Sequence, residues 1–369
     1  MVHLIVYYTQ IGFVNKNTHE KHIFFLPSLR YTKREQQNGG VSLKEYIISK
    51  NDSGQRLNKF LEKAVPLLPP GLMHKYFRLK RIKVNGKRSE PAYRLVEGDL
   101  IQLYINDEFF ETPSEQEAYQ KIQTPRLSIV YEDEHILLAD KKPGMVVHAD
   151  EQGDTDTLIA HIQAYLYQSG QWNPADALSF TPALCNRIDR NTGGIVIAAK
   201  TAEALRVMND KIKHHELTKR YLCVVHGTPA PRKGLIENYL RRDEKRRQVQ
   251  LFDHPAPGAK IAKTVYRTLA SRDGLSLVEC TLLTGRTHQI RAHMASLGCP
   301  LLGDGKYGRN EQNKRYRETG QLLYSYALTF AFQSDAGALA YLNGRTFTVQ
   351  NIPFVQKYFP DWKCKPESL

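Results

Sequence analysis

The stretch NRIDRNTGGIVIAAK, residues 186–200, decides how the chain is read. Its second half is a short apolar, β-branched run of the kind that forms a strand covered on both faces. Its first half sets Asp189 between Arg187 and Arg190, then adds Asn191, Thr192 and two glycines. Opposite charges within a few ångströms favour an ionised carboxylate. The segment is therefore either a salt-bridged loop ahead of a buried strand or a carboxylate held ready for chemistry.

On either side of it, helix and strand patterns alternate. TAEALRVMNDKIKHHEL is a helix capped by Thr201, with Glu203 in its first turn. KRYLCVVHG, KTVYRTL and SLVECTLLTG carry the β-branched and aromatic residues of strands. THQIRAHMASLGCP is a short helix ended by Gly298 and Pro300. Upstream, LSIVYEDEHILLADKKPGMVVHAD gives short strands, and TLIAHIQAYLYQSG is an amphipathic helix stopped by Gly170. These patterns predict an α+β domain over residues 126–360, a mixed, mainly antiparallel sheet with flanking helices. Residues 44–106 read as a smaller α+β module. GQRLNKFLEKAVPLL and GLMHKYFRL are its helices, RIKVNGKR turns at Asn85-Gly86, a strong hairpin signal, and VEGDLIQLYI closes it as a strand. Residues 107–125 are acidic, polar and proline-bearing, as in a linker, and residues 1–43 form a leader to which no role is assigned.

Bulk properties narrow the function. A chain of 369 residues suggests two domains, and 41% hydrophobic content is enough to bury a core. With 52 Lys and Arg against 38 Asp and Glu, the net charge of +14 points to an anionic partner. No apolar run reaches the roughly 18 to 20 residues that span a bilayer, and the start lacks the features of a signal peptide. The five cysteines are scattered and contain no C-x-x-C pair, which argues against disulfides and zinc and suits a reducing cytoplasm. Between Lys75 and Arg88 stand seven basic residues and no acid: Lys75, Arg78, Lys80, Arg81, Lys83, Lys87 and Arg88. A one-sign run across a helix, strand and turn suits phosphate contact better than a merely solvated face.

Several motifs fail on physical grounds. GDGKYG (303–308) fits G-x-G-x-x-G literally, but a helix and a proline precede it and RNEQNKRYRE follows, whereas a dinucleotide loop needs a strand before and an apolar helix after. Asp189, Asn191 and Gly194 resemble the opening of a calcium loop, yet Lys200 stands at its twelfth position. His288 and His293 are five apart, without the zinc-protease spacing. Three segments remain: the Asp189 loop, the strand around Tyr221, and the helix start dense in Arg286, His288, Gln289, Arg291 and His293, a donor cluster suited to an anion or a base edge.

In this order, NRIDRNTGG, KRYLCVVHG and TGRTHQIRAHMASLGCPLLGDGKYG resemble the hallmarks of the RluA-type family of RNA pseudouridine synthases, and KKPGMVVHAD is similar to that family's early Lys-Pro-Gly turn. The basic module before them resembles the small ribosomal-protein-type RNA-binding module that often precedes this catalytic domain. The resemblance covers about residues 45–356. It implies isomerisation of uridine in RNA, without cofactor or metal, with ribosomal large-subunit RNA as the first target and transfer RNA as the next; a monomer is taken as the default state. By resemblance Asp189 is the catalytic carboxylate, Arg286 its ion-pair partner with Arg291 as fallback, and Tyr221 the ring that stacks on the target uracil. Arg187 is implied to fill the place of a flipped-out nucleotide. Arg190, His288, Gln289, Arg291 and the basic run would bind RNA. Two positions depart from the family pattern: Asn186 replaces His, and Gly193 stands where Ser is usual. Two other classes compete: a non-catalytic RNA-binding protein on the same fold, and a hydrolase using paired carboxylates, which would need a second acid beside Asp189.

Overall fold

Leu57, Phe60 and Leu61 recur at helical spacing and are fully buried on α1 (Leu57–Ala64). This helix belongs to the first of two units into which the computed structural model divides, between Thr112 and Pro113. The structure describes residues 41–110, 118–149, 155–174, 179–243, 246, 248–308 and 310–363. In the first unit α2 (Pro70–Arg78) opens with proline, whose fixed φ suits a first helical turn, and buries Met73, Tyr76 and Phe77. The sheet pairs β1 (Val41–Ile47), β2 (Ile82–Val84), β3 (Lys87–Arg88) and β4 (Leu100–Asn106) in the order β1-β4-β2-β3, antiparallel throughout. Asn85 and Gly86 both have positive φ, 53° and 76°, as a two-residue hairpin turn requires.

Strand β1 pairs with β4 from Val41↔Asn106 to Ile47↔Leu100, so it takes up the last residues of the segment read as a leader. Residues 1–40 lie outside the described residues, as do 111–117 and Cys364. The stretch read as a linker is also partly folded. Its Ala118–Lys121 turn buries Tyr119, which packs edge-on against Trp172 of the second unit at 5.2 Å.

The second unit carries one sheet of eleven strands. In chain order its elements are β5 (Ile129–Glu132), β6 (Ile136–Lys141), α3 (Leu158–Gln168), β7 (Ala183–Leu184), β8 (Gly193–Ala199), α4 (Ala202–Lys213), β9 (Leu217–His226) and β10 (Lys233–Asp243). They continue with β11 (Gln248–Phe252), β12 (Lys260–Arg272), β13 (Leu275–Leu282), α5 (Gln289–Ser296), α6 (Asn310–Tyr316), β14 (Leu323–Phe330), β15 (Thr346–Thr348) and α7 (Pro353–Tyr358). The main path is β11-β10-β12-β13-β9-β14-β8-β6-β5, with β7 on β8 and β15 on β14. Among the described residues only the β14·β8 ladder is parallel, so the fold is α+β with a mixed, mainly antiparallel sheet.

Side chains alternate across each strand and sort the core into layers. On β8, Ile195 and Ile197 pack with Ala204 and Met208 of α4, while Val196 and Ala198 pack with Leu158, Ile162 and Leu166 of α3. On β9, Leu222 and Val224 join the α4 layer, whereas Tyr221, Cys223 and Val225 face Ile290 and Met294 of α5. Strands β10, β11 and β14 were not among the strands read from sequence. β14 matters most, because it lies between β9 and β8 and joins the two halves of the sheet.

Candidate active site

The site forms where β14 brings distant segments into one row. Ser325 of β14 stands opposite Gly194 on one side and Tyr221 on the other. The approach of β8 to β14 depends on its two glycines. Gly194 has φ +111°, and a Cβ there would lie 2.2 Å from the Ser325 carbonyl oxygen, so only glycine fits. A Cβ on Gly193 would lie 2.3 Å from the Tyr324 ring, which is itself buried and donates a hydrogen bond to Asp140 at 2.5 Å. The departure at Gly193 is thus matched by the aromatic ring occupying the space a serine side chain would need. Gly193→Ser is expected to lower stability by about 1–3 kcal/mol through overpacking; an unchanged urea midpoint would show that the ring gives way freely. Asn186, the other departure, has a local structural task as well: its side-chain oxygen accepts from the Ile197 backbone N–H at 2.8 Å.

Asp189 sits in the loop before β8, where its carbonyl accepts from Thr192 N–H at 3.0 Å, and its side chain is 31% exposed. Two side chains converge on one of its oxygens. Arg291 of α5 donates from Nη1 to Oδ2 at 3.1 Å, and His288 Nε2 lies 3.8 Å from the same oxygen. No described group hydrogen-bonds the other oxygen, Oδ1. Arg291 is nearly enclosed and is gripped from behind by Asp304, Nε to Oδ2 at 2.7 Å and Nη2 to Oδ1 at 2.9 Å. Burial works against both charges. For Arg291 the two carboxylates outweigh it, and for Asp304 the guanidinium and the Lys306 and Tyr307 backbone N–H groups hold its carboxyl below the ordinary value. Tyr307 stacks within 5.2 Å of the Arg291 guanidinium.

A second support comes from the Lys-Pro-Gly turn. Lys141, at the end of β6, is 1% exposed, and its ammonium donates to the carbonyls of Lys142 (3.1 Å), Met145 (2.8 Å) and Arg190 (2.8 Å). Gly144 N–H donates to the same Arg190 carbonyl at 2.9 Å. Two donors from one turn therefore clamp the residue next to Asp189. Burial lowers the Lys141 ammonium to about 8, opposed by the charges of Asp189 and Asp140.

The residues expected from sequence fall into three groups. Asp189, Tyr221, Arg291 and His288 are brought together. Tyr221 is buried, and burial pushes its phenol up to about 12, with the Asp189 charge adding to the rise, so it stays protonated. Arg286 is a correction: its Nε donates to the Ile261 carbonyl at 2.9 Å, because it precedes the helix and follows the edge of β12, so Arg291 is the partner of Asp189 instead. Gln289 is another correction. Its oxygen accepts from Arg286 N–H and Thr284, and its amide donates to the Lys263 carbonyl and Thr264. With all of these bonds made inside the protein, it ties α5 to β12 and has no capacity left for RNA. His293 is likewise fully buried, bonded to Thr264.

Arg187 and Arg190 are exposed on the rim, and the Arg187 charge adds to burial in pushing the His148 imidazole down. In the first unit Lys75, Arg78, Lys80, Lys87 and Arg88 are exposed, while Arg81 and Lys83 lie over the rings of Tyr76 and Tyr104 at 5.5 and 5.0 Å. Sequence reading missed Asp304, Tyr307 and Lys141. The signal for the first two lay inside GDGKYG, a string that fails as a cofactor loop and closes the third family-like segment, where neither residue stood out as a site residue.

A buried sheet carrying a half-exposed carboxylate, an arginine fixed behind it and a protonated tyrosine alongside defines an enzyme site rather than a bare binding face. Residues 135–296 match the family described as RNA pseudouridylate synthase. The chain is 32% identical to an RNA pseudouridine synthase of Mycoplasma genitalium, over 78% of this chain and 88% of that one. It is 33% identical to the ribosomal large subunit pseudouridine synthase C of Rickettsia bellii, over 69% of this chain and 83% of the relative. It is also similar to the solved human RNA pseudouridylate synthase domain containing 1, with TM-score 0.49 and 22% identity over 65% of this chain and 89% of that one. The chain belongs to the RluA-type family of RNA pseudouridine synthases, enzymes that isomerise uridine within RNA.

Proposed function

We propose that Asp189 carries out the isomerisation, without a cofactor, on uridine in ribosomal large-subunit RNA. The observation that carries this reading is the one-sided grip on the carboxylate: Arg291 and His288 both lie at Oδ2, and Oδ1 is left for substrate. The N-glycosidic bond breaks, the uracil turns, and C5 joins the sugar carbon that N1 left, while the C5 proton is lost and N1 gains one. No group leaves and no redox change occurs, so a positioned carboxylate and a polar enclosure suffice. Arg291 aims Asp189 and is itself fixed by Asp304. Tyr221, a buried phenol next to the carboxylate, offers a platform edge and a hydroxyl to the base. A paired base is out of reach, so the nucleotide is flipped, and exposed Arg187 takes the vacated place while exposed Arg190 holds the backbone. Hydrolysis by paired carboxylates finds no support, because Asp304, the nearby second acid, is enclosed and occupied by Arg291, Lys306 and Tyr307.

The test is RNA labelled with tritium at uridine C5. Release of tritium to water, with pseudouridine mapped to a large-subunit position, supports the reading. Free uracil in place of pseudouridine would defeat it, and modification of transfer RNA alone would move the substrate.

The first unit, by this reading, is an RNA-binding module whose basic face supplies salt-dependent affinity. Changing Lys80, Arg81 and Lys83 together to Gln should weaken RNA binding and flatten the plot of log affinity against log salt by about 2 in slope, given roughly 0.7–0.9 per phosphate contact. An unchanged slope would reduce that face to solvated surface.

A further inference from the structure

His288 occupies an unusual place for a histidine. It is the N-cap of α5 with a left-handed backbone, φ 53° and ψ 19°, a conformation that a non-glycine residue adopts at a free-energy cost and keeps where its surroundings over-determine it. Its ring is 11% exposed and packs edge-on against Tyr307 at 5.6 Å. The two ring nitrogens have different neighbours. Nδ1 lies 2.9 Å from the Tyr307 hydroxyl, and Nε2 points to Asp189 Oδ2 at 3.8 Å.

The hydroxyl of Tyr307 assigns the proton. It accepts from the Val249 backbone N–H at 2.7 Å, and among the described residues its own hydrogen has His288 Nδ1 as its acceptor, 2.9 Å away. With Nε2 facing a carboxylate oxygen, which suits an N–H and repels a bare lone pair, the arrangement that satisfies both nitrogens has Nδ1 accepting from Tyr307 and Nε2 carrying the proton of a neutral imidazole. The charged and titratable groups around the ring are Asp189 from the loop before β8, Arg291 from α5, and Asp304, Lys306 and Tyr307 from the loop after β9's neighbour Leu302. Burial dominates among their effects and lowers the imidazole to about 4, so it is uncharged near neutrality.

We infer that His288 is a positioning residue: its Nε2–H, fixed by Tyr307, closes onto Asp189 Oδ2 when RNA fills the site and presents Oδ1 to the substrate. At 3.8 Å the contact is too long for a hydrogen bond in the free protein, and catalytic hydrogen bonds commonly tighten only in the substrate complex. Neutrality is useful here. The cluster already sets one guanidinium against two carboxylates, and a second cation would offset the charge that makes Asp189 reactive. A neutral donor fixes the direction of the carboxylate without that loss.

The inference rests on Asp189 being the reacting group, so the test separates the two. In the full-length protein labelled with nitrogen-15, comparison with His288→Gln identifies the ring signals of His288. The expected result is a neutral Nε2–H imidazole at pH 7, free and with RNA, changing to an Nδ1–H population in Tyr307→Phe. Single-turnover rates at saturating RNA should fall on the order of a hundredfold in His288→Phe and in the same direction in Tyr307→Phe, with RNA affinity retained and Gln partly restoring the rate. An Nδ1–H or protonated ring in the wild type, or full rates in both variants, overturns the role of His288 even if Asp189→Ala is inactive.

Discussion

Asp189→Ala is expected to abolish tritium release, by on the order of ten-thousandfold or about 5 kcal/mol in barrier, while RNA still binds. The structure explains why the variant should fold. The side chain is 31% exposed, so its loss opens no sealed cavity, and Arg291 keeps both of its bonds to Asp304. Affinity is expected to survive because the exposed rim arginines and the basic face of the first unit are untouched. Asp189→Asn is the sharper variant, since it preserves shape and removes only the charge. Turnover by a clean preparation of either one would sink the assignment of the carboxylate.

The largest loss of stability is expected from Asp304→Ala. That change leaves the Arg291 guanidinium, 5% exposed, without its bidentate partner and deprives the Lys306 and Tyr307 backbone N–H groups of their acceptor. Breaking a buried pair by removing one member typically costs about 3–5 kcal/mol, and urea unfolding reads it directly. The sign with pH follows from the lowered carboxyl. Asp304 contributes its stability fully above the ordinary carboxyl value of about 3.9 and loses it as pH falls through the lower folded value. The gap between wild type and variant should thus narrow in strong acid. Equal midpoints near neutrality would mean that Arg291 is held by other means.

How far the sequence could be read depended on the range of the interactions. Buried strand β8, the helices after it and the Asn85-Gly86 turn follow from neighbours a few residues apart, and each was legible. So was Asp189, flanked by arginines. The choice between Arg286 and Arg291 was not, because it turns on the left-handed backbone at His288, which starts α5 after Arg286 and leaves that arginine along β12. Gln289 looked like one donor among several, and only its four internal bonds show that it is saturated. Asp304 and Tyr307 act on partners 13 and 19 residues away, across a helix, and a pattern search cannot see such pairing. Strand β14 is apolar like its neighbours, and its central place depends wholly on pairing with β8 and β9.

That central place has a bearing on time. The residues that flank Ser325 are made more than a hundred positions earlier, yet β8 and β9 do not touch as neighbours and meet only through β14. A ribosome delivers the chain from its N-terminus, so the loop of Asp189, the ring of Tyr221 and the guanidinium of Arg291 all emerge before the strand that joins them. While it is being made, the protein can carry basic surface that attracts RNA without a finished centre to alter it. Chemical competence arrives late in translation, with Leu323–Phe330.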